Sequence, residues 1–233
     1  MALSGDISGT LVARDIARMA MQMIGGPLEN GEVTTEDGQL ITTLLNFMLK
    51  TWQSQGCNLW RLSDESVVFL ANTKTVQLNP RVLDVMEARF VGDVTYQREL
   101  ARYEWGDYRM LPNKDSQGNP TCYTLNKQRT YIEMTLWPVA TEDIEIRYSG
   151  ARVIQDVNDL NDEVDVPQEW IETVWTCLAE RMIPYYNIDT LSAAVAQRIT
   201  QRAQVLYAQM LDFDRPASTF MKPWQAPGYP FNY

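Results

Sequence analysis

Histidine is missing from this chain altogether. Its absence removes the side chain most often used as a general base, the commonest metal ligand and the usual switch near neutral pH. Cysteine is scarce: Cys57, Cys122 and Cys177 stand far apart with no C-x-x-C spacing. That pattern builds neither a zinc site nor a disulfide framework, and it reads as three reduced thiols, mostly buried, from a reducing compartment. Glycine forms no phosphate loop, because Gly25-Gly26 follows a helical stripe and precedes Pro27. A phosphate loop needs the order strand, loop, helix. Positive charge is also in short supply: 20 basic residues against 30 acidic ones leave a formal net charge of -10. Such a chain does not grip a nucleic-acid backbone through its overall field. No stretch approaches the roughly 20 apolar residues of a membrane span. Residues 1–10 include Asp6 and lack the basic-then-apolar order of a secretory signal. The expectation is a chain that is soluble when made.

What is present is a change of period along the chain. Val12, Ile16, Met19 and Met23 recur at helical spacing behind a potential Thr10 cap, and Gly25-Gly26-Pro27 stops that helix. Thr34 or Thr35 opens a second helix carrying Leu40, Ile41, Leu44, Leu45, Met48 and Trp52, with Gly56 as its stop. From Trp60 the period becomes two. Residues 66–71 and 75–78 read as strands around Asn72-Thr73-Lys74. Residues 85–91 and 94–97 read as a hairpin about a tight Gly92-Asp93 turn. Residues 98–108 suit one short helix, and 122–125, 131–137 and 144–148 are further strands. Asp165 and Gln168 have capping-box spacing before a third helix with Trp170, Val174, Leu178 and Met182 on one stripe. Pro184 breaks it. A fourth helix over 189–211 presents Leu191, Val195, Ile199, Leu206 and Met210 inward.

The fold class expected is α+β: a bundle of about four helices with a strand-rich insert and an extended C-terminal arm. The segments are 1–59 and 151–213 for the two helix pairs, 60–150 for the β-rich insert and 214–233 for the arm. The arm holds four prolines together with Phe220, Trp224, Tyr229, Phe231 and Tyr233. Prolines disfavour helix and central strand, and wet aromatics are costly, so these five residues are candidate interface residues.

Asp156, Asp159, Asp162 and Glu163 crowd one asparagine-rich loop, yet neither calcium-loop register places glycine and glutamate where such a loop needs them. The loop reads as a solvated acidic connection, with these four residues expected at an interface or facing a channel. Glu99, Glu104 and Asp107 surround Trp105 and invite a glycosidase reading, but nothing fixes the separation of a catalytic pair. Arg198 and Arg202 sit one helical turn apart and suit partner carboxylates, a phosphate or, most simply, neighbouring acids. No nucleophile has a base at a recognised spacing, so the chain reads as no enzyme, with no cofactor and no metal.

Several segments taken in order carry a resemblance. They are Leu45-Asn46-Phe47-Met48-Leu49-Lys50 through Trp52 and Gly56 to Leu59-Trp60, then Asn119-Pro120-Thr121-Cys122-Tyr123. Leu136-Trp137-Pro138-Val139 follows, then Pro167-Gln168-Glu169-Trp170 to Leu178-Ala179-Glu180-Arg181 and Pro184-Tyr185-Tyr186. Together they resemble the head-to-tail adaptor (head-completion, connector) proteins of tailed bacteriophages. The first eight or so residues and the tail from Asp214 onward lie outside this resemblance. The resemblance implies a homo-oligomeric ring of about twelve copies, a closed cyclic assembly. The ring would dock beneath the portal protein, receive a tail nozzle or tail tube, and help retain packaged DNA and pass it at infection without binding it tightly. It implies a place at the head–tail junction of the virion after assembly in the host cytoplasm, and it carries no catalytic residues. The competing readings are a tail-associated peptidoglycan hydrolase and a minor tail or capsid decoration protein.

Overall fold

The computed structural model describes residues 11–55, 59–92, 97–186 and 192–213. Five α-helices and two four-stranded sheets lie among them, so the chain is α+β. The helices are α1 (Ala13–Ile24), α2 (Thr35–Gln55), α3 (Trp105–Met110), α4 (Ile171–Met182) and α5 (Ala193–Phe213). The strands are β1 (Leu62–Phe69), β2 (Thr75–Gln77), β3 (Val82–Val91), β4 (Gln97–Glu99), β5 (Ala101–Tyr103), β6 (Cys122–Lys127), β7 (Ile132–Trp137) and β8 (Ile144–Arg152).

Helices α1, α2, α4 and α5 bury one side each in a shared core that includes Ile16, Leu45, Trp52, Trp170, Leu178 and Ile199. Helix α1 stops where expected, with Gly25 at φ 72° donating back to Gln22 and Met21 carbonyls. Its start differs: Val12 is the N-cap, and Thr10 lies outside the described residues. Its buried stripe is Ala13, Ile16, Ala17, Ala20, Met21 and Ile24, while Met19 and Met23 are half-buried. Small alanines let α1 approach α4 closely, which side-chain hydrophobicity alone does not reveal. The same cause corrects α5. Its buried residues are Ile199, Ala203 and Met210; Val195 is exposed, Leu206 is half-buried, and Leu191 lies outside the described residues. Ala203 leaves room for Cys177 of α4 to place its Sγ 3.7 Å from the Ala203 carbonyl. Trp52 stacks on Tyr207 and meets Trp170 edge to face, joining α2 to α5 and to the start of α4.

The strands are more than an attachment to the helices. The sheets run β1-β8-β3-β4 and β2-β7-β6-β5, all antiparallel except β5 with β6. Their inner faces meet over a second core that includes Phe69, Val85, Phe90, Tyr123, Met134, Leu136 and Ile146. The strands on either side of Asn72 belong to different sheets. Asn72 sits at φ 62° and Ala71 donates to the Asp143 carboxylate at 2.7 Å where the chain crosses over. The expected tight turn at Gly92-Asp93 is not made. Val91 pairs with Gln97, which leaves five residues between the paired positions; of these, 93–96 lie outside the described residues. Residues 98–108 resolve into β4, β5 and the start of α3, because the alternation is too short to announce three-residue strands.

Candidate functional site

The acidic loop is built into the helical core. Lacking a side-chain cap, α1 would leave its first N–H groups without acceptors. The loop supplies them: Ala13 N donates to the Asp162 carbonyl at 2.9 Å and Arg14 N to the Leu160 carbonyl at 2.7 Å. Leu160 lies over Gly38 of α2, where an added Cβ would come within 2.8 Å of its Cδ1. A polar stripe on α2 holds the chain leading into this loop. Asn46 both donates to the Val157 carbonyl at 2.8 Å and accepts from the Val157 N–H at 2.9 Å. One turn on, Lys50 donates to the Ile154 carbonyl at 2.7 Å and pairs with Asp156 at 2.8 Å. Gln53 accepts from the Ile154 N–H at 2.9 Å.

The four candidate acidic residues therefore have distinct settings. Asp156 is the partner of Lys50. Asp159 accepts from Asn161 through both its backbone N–H and its side-chain amide. The Asp162 carboxylate accepts from the N–H groups of Asp159 and Asn158 at 2.9 Å each, which holds it below the usual carboxylate range. Glu163 is exposed and its backbone bridges to Val12. Among the described residues, no group of three or more acidic or cysteine side chains could hold a metal ion.

Asp165 is not a helix cap. A one-turn 3-10 helix, Gln168–Trp170, precedes α4, and Asp165 instead accepts both arms of the Arg152 guanidinium at 2.5 and 2.8 Å. Arg152 also lies over the Trp60 ring, 5.1 Å from its centroid. Burial resists ionisation of Asp165, but Arg152 and the Gln155 N–H hold its carboxyl below the usual range. This group ties the end of β8 to the loop before α4. Sequence spacing favoured the cap because Asp and Gln three apart are the usual signature, and the arginine that captured the carboxylate lies thirteen residues away.

The carboxylates named in the glycosidase reading are all exposed on the surface. Glu99 is exposed on β4 opposite Arg89, Glu104 lies 3.9 Å from Arg102, and Asp107 is exposed on α3. Arg202 pairs with Glu172 of α4, while Arg198 makes no ion pair among the described residues. Phe220, Trp224, Tyr229, Phe231 and Tyr233 lie outside the described residues. Missed by the sequence reading were the polar stripe of Asn46, Lys50 and Gln53 and the exposure of Phe47. The spacing of that stripe, four then three residues, was available as a signal beside the apolar stripe.

A family model described as "SU10 adaptor protein" matches residues 10–225. No curated protein matches the chain. Among solved structures, "Neck of empty GTA particle computed with C6 symmetry" contains a chain 10% identical, with 80% of this chain and 88% of that chain covered. Its TM-score is 0.26, a likeness that carries no argument about the fold.

Proposed function

This chain belongs to the SU10 adaptor protein family, and on that premise we propose that it forms an adaptor ring at the head–tail junction of a phage virion. The match over residues 10–225 carries the reading and agrees with the resemblance to head-to-tail adaptors found along the sequence. In this reading about twelve copies close into a ring by one repeated contact. The ring docks beneath the portal, receives the tail nozzle or tube, and helps retain packaged DNA until infection.

The physical features support a structural role without catalysis. Histidine is absent, the sequence offers no nucleophile–base constellation, and the carboxylates near Trp105 are separately solvated. A net charge of -10 per copy gives a ring a negative channel, which lets DNA slide without adhering. Asp156, Asp159, Asp162 and Glu163 of the acidic loop are assigned to that lumen or to a subunit boundary. The segment from Arg215 to Tyr233 is assigned to attachment, to the portal first and to a neighbouring subunit as the alternative, through Phe220, Trp224, Tyr229, Phe231 and Tyr233. Burying even two such aromatics contributes a few kcal/mol at roughly 25 cal/mol per Å².

The test is cosedimentation of the full chain, and of a chain ending at Leu211, with the cognate portal. The full chain should cosediment in a fixed ratio and the shortened one should not. Equal cosedimentation of both would remove the arm from the account, and failure of both would remove the portal.

A further inference from the structure

Among the described residues, helices α2 and α5 each leave one side without a partner, and the two sides differ. On α2 the outer positions Glu36, Thr43, Phe47, Thr51 and Ser54 follow helical spacing, and none after Glu36 is charged. Phe47 is 63% exposed at their centre. The Thr43 and Thr51 hydroxyls donate back to the Gln39 and Phe47 carbonyls at 2.9 and 2.7 Å, which leaves this side little hydrogen bonding to offer water. On α5 the outer positions mix apolar, basic and polar residues: Val195, Arg198, Arg202, Val205, Gln209, Asp212 and Phe213. Val205 is 56% and Phe213 73% exposed. With Glu172 of α4, the middle of this side borders an open groove of about 510 Å³.

We infer that this groove receives the outer side of α2 from a second copy of the chain. The inference rests on the ring reading above and names the contact that would build the ring. Charge selects a second copy as the occupant. Most surfaces of a chain with net charge -10 repel their own copies, whereas the α2 side is nearly uncharged and the α5 side carries Arg198 beside the Arg202–Glu172 pair. In the register that sets Glu36 against Arg198, Phe47 lies about 16 Å further along the helix, level with Gln209. With the two helices side by side and pointing the same way, Phe47 fills the groove beside Val205 and Gln209 while Glu36 meets Arg198. Because the two sides are different, the contact is head to tail, the kind that closes a ring or extends a filament.

Sedimentation velocity on the full chain tests it. Phe47→Asp and Val205→Asp change exposed residues, so their unfolding temperatures should match wild type. Each should weaken self-association about tenfold or more. Mixed together they retain one intact groove and one intact α2 side, and should form dimers and nothing larger. Glu36→Arg and Arg198→Glu should each weaken association, and the double variant should recover most of it. Wild-type association in both Asp variants, or no recovery in the charge-swapped pair, overturns this contact while leaving the ring reading in place. A wild-type chain that stays monomeric at every concentration reached also overturns this contact, while the ring reading is decided separately, by whether the chain closes into a ring on its portal.

Discussion

Replacing Asn46 with alanine should destabilise the protein far more than a half-exposed helical asparagine ordinarily would. Its side chain closes two hydrogen bonds with one residue, 2.8 Å to the Val157 carbonyl and 2.9 Å from the Val157 N–H. Val157 is only 2% exposed, so water cannot readily replace either bond. A buried backbone group left unsatisfied costs about 1–3 kcal/mol. Two such groups give about 2–6 kcal/mol, and water entering the space left by the amide moves the expectation to the lower half. A loss of about 2–4 kcal/mol should lower the melting temperature by roughly 4–16 °C for a protein of this size. Thr43→Ala, on the exposed side one turn earlier, should stay within about 0.5 kcal/mol. Urea unfolding followed by circular dichroism measures both, and hydrogen exchange at the Val157 amide should speed up only in Asn46→Ala. An Asn46→Ala protein as stable as Thr43→Ala, with Val157 equally protected, would refute the claim that α2 holds this chain segment.

Three further outcomes follow from the same packing. Leu178, 0% exposed between the helices, should cost about 2–5 kcal/mol on replacement with alanine, read by denaturant midpoint. Gly38→Ala should stabilise a Leu160→Ala background through helix propensity, by up to about 1 kcal/mol, and stabilise the wild type by less, because there the new Cβ comes within 2.8 Å of Leu160 Cδ1 and that side chain must shift. A thermal-melt double-mutant cycle reads that difference. Asp165 has a depressed folded pKa, so its contribution is present above the unfolded value of about 3.9 and is lost as pH falls through the lower folded value. Stability measured from pH 6 down to pH 2 should fall less steeply in Asp165→Asn than in wild type.

The helices were legible where large apolar residues define the buried side, as with Leu44, Leu45 and Met48 on α2 and Val174, Leu178 and Met182 on α4. They were misread where alanine does: Ala17, Ala20 and Ala203 are buried because they are small, while Met19 and Val195 draw the eye and face outward or sideways. Strand existence was legible from alternation, but partnership was not. Nothing local in residues 66–78 says that β1 and β2 enter different sheets, since that depends on pairing with β8 and β7 far along the chain. The acidic loop shows the same limit. Its composition was plain, but its docking depends on backbone carbonyls meeting α1 and on Asn46, more than a hundred residues away.

Electron microscopy of the purified full chain mixed with its cognate portal tests the central claim most directly. The account predicts a closed ring of this chain stacked coaxially on one end of the portal, with an open channel continuous through both. Isolated monomers beside bare portals, or binding to capsid lattice instead, would contradict it.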